Sequence, residues 1–145
     1  MTKFKEVAHL YLGCALSDPA IQYTYRLRPG HLNVNGDVAD FLADGTKPAF
    51  FPLSAMTEEQ SFILIRLHWF YGRYDIRDIE VVRNVIDFKV CYGKIKRWYR
   101  KRMSIRGETP EQFAYLLSQR FDLFNLIPEQ EAIDVTTLEI NPYEK

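Results

Sequence analysis

Residues 86–105 read IDFKVCYGKIKRWYRKRMSI, and how this stretch folds decides the fold class. Ile86, Phe88, Val90 and Tyr92 alternate with Asp87, Lys89 and Cys91. That period of two belongs to a strand with one buried face. Gly93-Lys94 is a Gly-X pair, suited to a two-residue type II′ turn, so residues 95–105 would form the return strand. In that register Tyr92 faces Ile95, Phe88 faces Tyr99 and Asn84 faces Met103, which builds an apolar face. On the opposite face Lys89 meets Trp98 and Asp87 meets Arg100, both favourable cross-strand neighbours worth ~0.2–1 kcal/mol each. A helix over 94–104 is the alternative, with Ile95, Trp98, Tyr99 and Met103 on one side.

Two helix starts lie outside this hairpin. TEEQ at 57–60 is a capping box, with Thr57 and Gln60 bonding each other's backbone and Glu58 and Glu59 at the positive helix end. The apolar run SFILIRLHWFYG predicts a buried central helix that stops near Gly72. TPEQ at 109–112 is a second box, with Pro110 at the first helical position. Phe113, Leu116, Leu117 and Phe121 follow at helical spacing. FDLFNLI then reads as a short helix or turn ended by Pro128, and EAIDVTTL as a last short helical or extended piece.

Nearer the N-terminus, FKEVAHLYL predicts a short helix that groups Val7, Leu10 and Tyr11. IQYTYRLR at 21–28 predicts a strand with Ile21, Tyr23, Tyr25 and Leu27 on one face, ended by the RPGH turn. HLNVNGD offers a brief strand and an Asn35-Gly36 turn, and KPAFFPL at 47–53 an extended segment whose prolines suit a sheet edge. These elements predict one α+β domain over 1–145. It would hold a small, mainly antiparallel sheet packed with the buried central helix and a C-terminal helix.

The chain has 145 residues, 47% of them hydrophobic, which suffices for a core. No run of 18 apolar residues is present, so no membrane span is expected. The N-terminal stretch is too polar for a signal-peptide core, and Cys14 and Cys91 make no disulfide framework. A cytoplasmic location in a host cell is the expectation. The formal net charge is zero but unevenly spread. Residues 1–91 carry ten basic and eleven acidic side chains, 92–107 seven basic and none acidic, and 108–145 two basic and eight acidic.

Four strings carry a resemblance: VAHLYLGC at 7–14, PLSAMTEEQ at 52–60, AYLLSQRFDLFNLI at 114–127 and AIDVTTL at 132–138. In this order the chain resembles a group of small uncharacterised proteins encoded by Bacteroidetes and by their phages and prophages. The resemblance covers roughly a quarter of the chain and implies a mobile-element setting, with no catalytic residue. The chain departs from it at Asn125, where Gly is expected, and at PEQE, 128–131, where a Gly-containing turn is expected. Asn tolerates the left-handed conformation, so the turn at 125 can be kept.

Catalytic chemistry has little support in the residues. His9, His31 and His68 lie far apart and outside any metal-ligand spacing, and no phosphate-binding or nucleophile-elbow motif occurs. His9 and Cys14 are five apart and lack an orienting third group. DIRDIE at 75–80 reads as solvated positions. No enzyme, metal or cofactor is therefore expected. The hairpin register would place Lys96, Trp98, Arg100, Arg102 and Arg106 on one face, a candidate surface for a macromolecular partner. That partner is expected to be a host or phage protein, because Arg and Trp are favoured anchors. The alternative is a nucleic-acid-binding module built on 92–107, with cations on phosphates and Trp98 stacking on a base. A solvated face that discourages edge pairing, or one covered by Glu129, Glu131, Asp134 and Glu139, would need no partner at all.

Overall fold

A computed structural model describes residues 3–18, 23–29, 46–68, 71–94 and 96–143. The RPGH turn in part, the HLNVNGD segment with Asn35-Gly36, and Ile21, His31 and Ile95 lie outside the described residues. The fold class is α+β, with three α-helices and two small sheets among the described residues. The chain divides into two compact units, Met1–Pro52 with Arg120–Lys145, and Leu53–Gln119.

The first unit opens with α1 (Phe4–Val7), which continues as a 3-10 turn at Ala8–Tyr11. This places Val7 and Tyr11 in the core. Strands β1 (Ala15–Asp18), β2 (Tyr23–Arg26), β3 (Lys47–Phe50) and β7 (Ile133–Asp134) form a sheet in the order β2-β1-β3-β7. Strands β1, β2 and β3 pair antiparallel, while β7 joins β3 in parallel. KPAF is thus an interior strand, not the expected edge. Its proline is accommodated because β7 pairs only from Ala49 onward, so Pro48 stands beyond that short ladder.

Tyr11 is fully buried and packs on Phe50 with ring centroids 4.2 Å apart. Its hydroxyl donates to the Phe121 carbonyl and accepts from the Leu123 amide. FDLFNLI is a turn: the buried Asp122 carboxylate accepts from the amides of Phe124, Leu126 and Ile127 at 2.9–3.2 Å. Asn125 has φ +58° and Gln130 φ +62°, so both hold the left-handed backbone a glycine would take.

The second unit begins with α2 (Glu58–Arg66), and both halves of its capping box form. The helix ends at Arg66, short of Gly72, and a 3-10 turn follows at Tyr71–Arg73. It buries Ser61, Leu64 and Ile65 on one side, while Phe62 and Ile63 on the other are exposed. Next come β4 (Asp75–Val82), β5 (Val85–Cys91) and β6 (Trp98–Ser104), an antiparallel meander in the order β4-β5-β6. Helix α3 (Pro110–Ser118) starts with its box formed and Pro110 in the first turn. The buried Gln112 accepts from the amides of Glu108 and Thr109 and donates to the Leu64 carbonyl of α2. Gly107 has φ +76°, and a Cβ there would stand 2.8 Å from that of Gln112, so this position requires glycine.

The hairpin exists, but its register differs from the expected one. Phe88 faces Lys101 instead of Tyr99, Ile86 faces Met103 and Cys91 faces Trp98. The connection runs over six residues, 92–97, instead of two. Gly93 does not take the positive φ that a II′ turn needs at its first position; Lys96 does, at +50°. The longer loop lets Tyr92 pack against both Tyr74 and Tyr99, with centroids 4.6 and 5.3 Å apart. A displacement of two residues preserves the faces. Ile86, Phe88, Val90 and Met103 therefore still form the buried side.

Candidate functional site

Strand alternation places Trp98, Arg100 and Arg102 on one face of β6, away from that buried side. Lys96 and Arg106 lie outside the strand. Lys96 is exposed in the 92–97 loop, and Arg106 is exposed in the turn after Ser104, its amide held by the Ser104 hydroxyl. Strand alternation therefore brings together three of the five expected site residues and does not position the other two.

The registers of both strand pairs give this face a grid of three rows. Asp75, Cys91 and Trp98 lie across the sheet in one row, Arg77, Lys89 and Arg100 in the next, and Glu80, Asp87 and Arg102 in the third. Asp87 is the hub. Its carboxylate accepts from Nε and Nη2 of Arg100 at 2.9 and 2.6 Å, and Nε of Arg102 lies 3.5 Å away. Paired guanidiniums of this kind hold the Asp87 carboxyl below the usual aspartate range, the Arg100 hydrogen bonds being the largest cause. The Asp87 side chain is only 13% exposed, against 65% for Arg100 and 66% for Arg102.

Trp98 is half-buried, and the Arg77 guanidinium lies 4.0 Å from the centre of its ring. The expected Lys89–Trp98 pair is thus replaced by a cation–π contact from β4. Lys89 lies 3.4 Å from Asp78. Asp78 occupies a β-bulge between Arg77 and Glu80, with φ +55°. The bulge turns its carboxylate toward Lys89 and toward Arg77, 3.6 Å away. Asp78, Glu80, Asp87, Phe88, Lys89 and Arg100 line an open depression of ≈ 330 Å³.

Four cations (Arg77, Lys89, Arg100, Arg102) therefore share this side of the sheet with four carboxylates (Asp75, Asp78, Glu80, Asp87). Two residues of the basic run, Arg100 and Arg102, thereby join a charge-balanced sheet face, while Lys94, Lys96, Arg97 and Arg106 of the same run lie outside β6. Of the acidic C-terminal residues, Glu131 accepts from the Phe4 amide and Asp134 caps the 3-10 turn after β7.

Sequence reasoning missed β4 and, with it, Arg77 and Asp78. Ile76 and Val81 face the buried side together although their separation is odd, because the bulge adds one residue between them. The Arg83-Asn84 turn after Val82 was the available signal.

The possible nucleophile is poorly placed for reaction. Cys14 is fully buried, and burial pushes its thiol up to about 12 against the opposing pull of Arg120 and Arg26. His9 is exposed. Among the described residues no group of three or more His, Cys, Asp or Glu is placed to hold a metal, and no helix is long and apolar enough to cross a membrane. No protein-family model, curated protein or solved structure matches the chain.

Proposed function

We propose that this chain is a non-enzymatic accessory protein of phage or prophage type, working in the cytoplasm of a Bacteroidetes host, that acts by binding another protein through the charged face of β4, β5 and β6. The setting rests on the four strings quoted above. The mode of action rests on one observation: Asp87 sits between Arg100 and Arg102 with its carboxylate on both. Asp87 offsets part of the charge that these guanidiniums offer a polyanionic backbone but leaves some of their N–H donors open to a single carboxylate. A protein surface with interleaved charges meets complementary groups of both signs and an amphipathic Trp98 at the end of the row.

The nucleic-acid reading is supported by the two-thirds exposure of Arg100 and Arg102 and by the exposed Lys94, Lys96, Arg97 and Arg106 outside the Asp87 cluster. Fluorescence anisotropy of labelled single- and double-stranded DNA and RNA, at low and then higher salt, separates the two readings. Protein binding predicts no tight nucleic-acid complex at physiological salt. Binding that falls linearly on a log–log plot against salt, and disappears in Arg100→Glu/Arg102→Glu, would overturn it. The non-enzymatic part would fail if the pure protein turned over a substrate and a single point change such as Cys14→Ala abolished that turnover.

A further inference from the structure

We infer that the outer edge of β6 is a docking site for an acidic extended segment of a partner protein, which adds to the sheet as a fourth strand. This inference rests on the protein-binding reading and specifies its partner.

The hydrogen-bond phase of the hairpin fixes which β6 groups face outward. The Ile105 amide donates to the carbonyl of Asn84 opposite it, so that pair is hydrogen-bonded. In an antiparallel ladder such pairs recur at every second residue, which assigns 103, 101 and 99 to bond with β5. The backbone N–H and C=O groups of Trp98, Arg100 and Arg102 then point away from β5. Among the described residues no strand pairs with that side.

Of the two sheet edges, β6 is the better template. The β4 edge carries the Asp78 bulge, which interrupts a ladder, and it lies beside α2. Strand β6 pairs with β5 over seven residues without interruption. Its cations oppose self-pairing of two β6 edges by like charge, and they favour a strand of opposite sign.

The outward backbone groups belong to the same residues whose side chains form the candidate face. A residue of an added strand that bonds to the Arg100 backbone therefore lies directly opposite the Arg100 side chain, and the same holds at Arg102 and Trp98. Asp87 already demonstrates the pairing from the β5 side, as a single carboxylate serving two guanidiniums. Each guanidinium has five N–H donors, so both have capacity for a second carboxylate. For an antiparallel strand the complementary pattern is acid-x-acid-x-aromatic, meeting Arg102, Arg100 and Trp98 in turn.

The test uses a fluorescein-labelled peptide with the core Glu-Val-Glu-Val-Tyr and two N-methylated forms of it. All three carry the same charge. Methylation of both Glu amides removes donors that would face β6, whereas methylation of both Val amides removes donors that face away. The inference predicts saturable binding of the parent and Val-methylated peptides. It predicts binding about tenfold or more weaker for the Glu-methylated form, and about as much loss in Arg100→Ala/Arg102→Ala protein. The Arg100 and Arg102 amides should also become protected from hydrogen exchange on binding. Equal binding of all three peptides, or no binding of the parent, would overturn strand addition. Either result leaves the protein-binding reading to stand on its nucleic-acid test, whereas steep salt-sensitive DNA binding would remove that reading itself.

Discussion

Asp87 joins two arginines, its carboxylate accepting from Arg100 and lying 3.5 Å from Nε of Arg102. Its carboxyl is held low chiefly by the Arg100 hydrogen bonds, so the ionised form is favoured in the folded protein. The contribution to stability is therefore present above the ordinary aspartate range and is lost as pH falls through the depressed folded value. A carboxyl-detected NMR titration should give Asp87 a midpoint below that of an unpaired aspartate, and Arg100→Ala should raise it. An unchanged midpoint in that variant would mean that the pair does not hold in solution. Cys14 behaves in the opposite sense. Its thiol, pushed up to about 12, favours the folded state fully below the ordinary thiol range, and that advantage is lost as pH climbs through the folded value. In a Cys91→Ser background, a chromogenic disulfide reagent at mildly alkaline pH should react with Cys14 only after unfolding. Prompt reaction in the native protein would contradict the burial. Tyr143 is a third case. Its hydroxyl accepts from the Ala15 amide and donates to the Ala49 carbonyl, bridging β1 and β3 where these residues face each other. Tyr143→Phe leaves both backbone groups without that partner and should cost about 1–3 kcal/mol in urea unfolding.

At the scale of elements, legibility follows how local the determinants are. Both capping boxes were legible because every partner lies within four consecutive residues, and both form as read. Thr57→Ala and Thr109→Ala should each destabilise by about 1 kcal/mol, measured by chemical denaturation. A negligible change at both would contradict the caps. The left-handed turn at Asn125 was expected through the resemblance alone, and its φ is +58°. The hairpin was legible as an element but not in register, because loop length depends on Tyr74, Tyr92 and Tyr99 meeting, and Tyr74 lies on another part of the chain. Helix α2 was expected to be buried all round, but the sequence does not show that Phe62 and Ile63 face outward. Strand β4 was hidden because its bulge breaks the period of two on which strand reading depends. The candidate site was half legible in consequence. Trp98, Arg100 and Arg102 follow from alternation on one strand, while Arg77 and Asp78 require the three-strand arrangement.

At the scale of the whole molecule, zero net charge does not arise from a basic centre and an acidic tail alone. The β4-β5-β6 sheet balances its own outer face, and Glu131 and Asp134 have local structural roles in the first unit. Charge runs in a sequence are one-dimensional, whereas a sheet interleaves segments and here offsets the part of the run, Arg100 and Arg102, that lies on its outer face. That offset separates a protein-docking face from a phosphate-binding one. The measurement that tests it most directly is the affinity of native and Asp87→Asn protein for labelled single-stranded DNA across a salt series. Weak binding by the native protein is predicted, with Asp87→Asn binding more tightly and with a steeper salt dependence as its two arginines lose their carboxylate. Tight, steeply salt-dependent binding by the native protein, unchanged in Asp87→Asn, would contradict the account and make the sheet face a nucleic-acid surface.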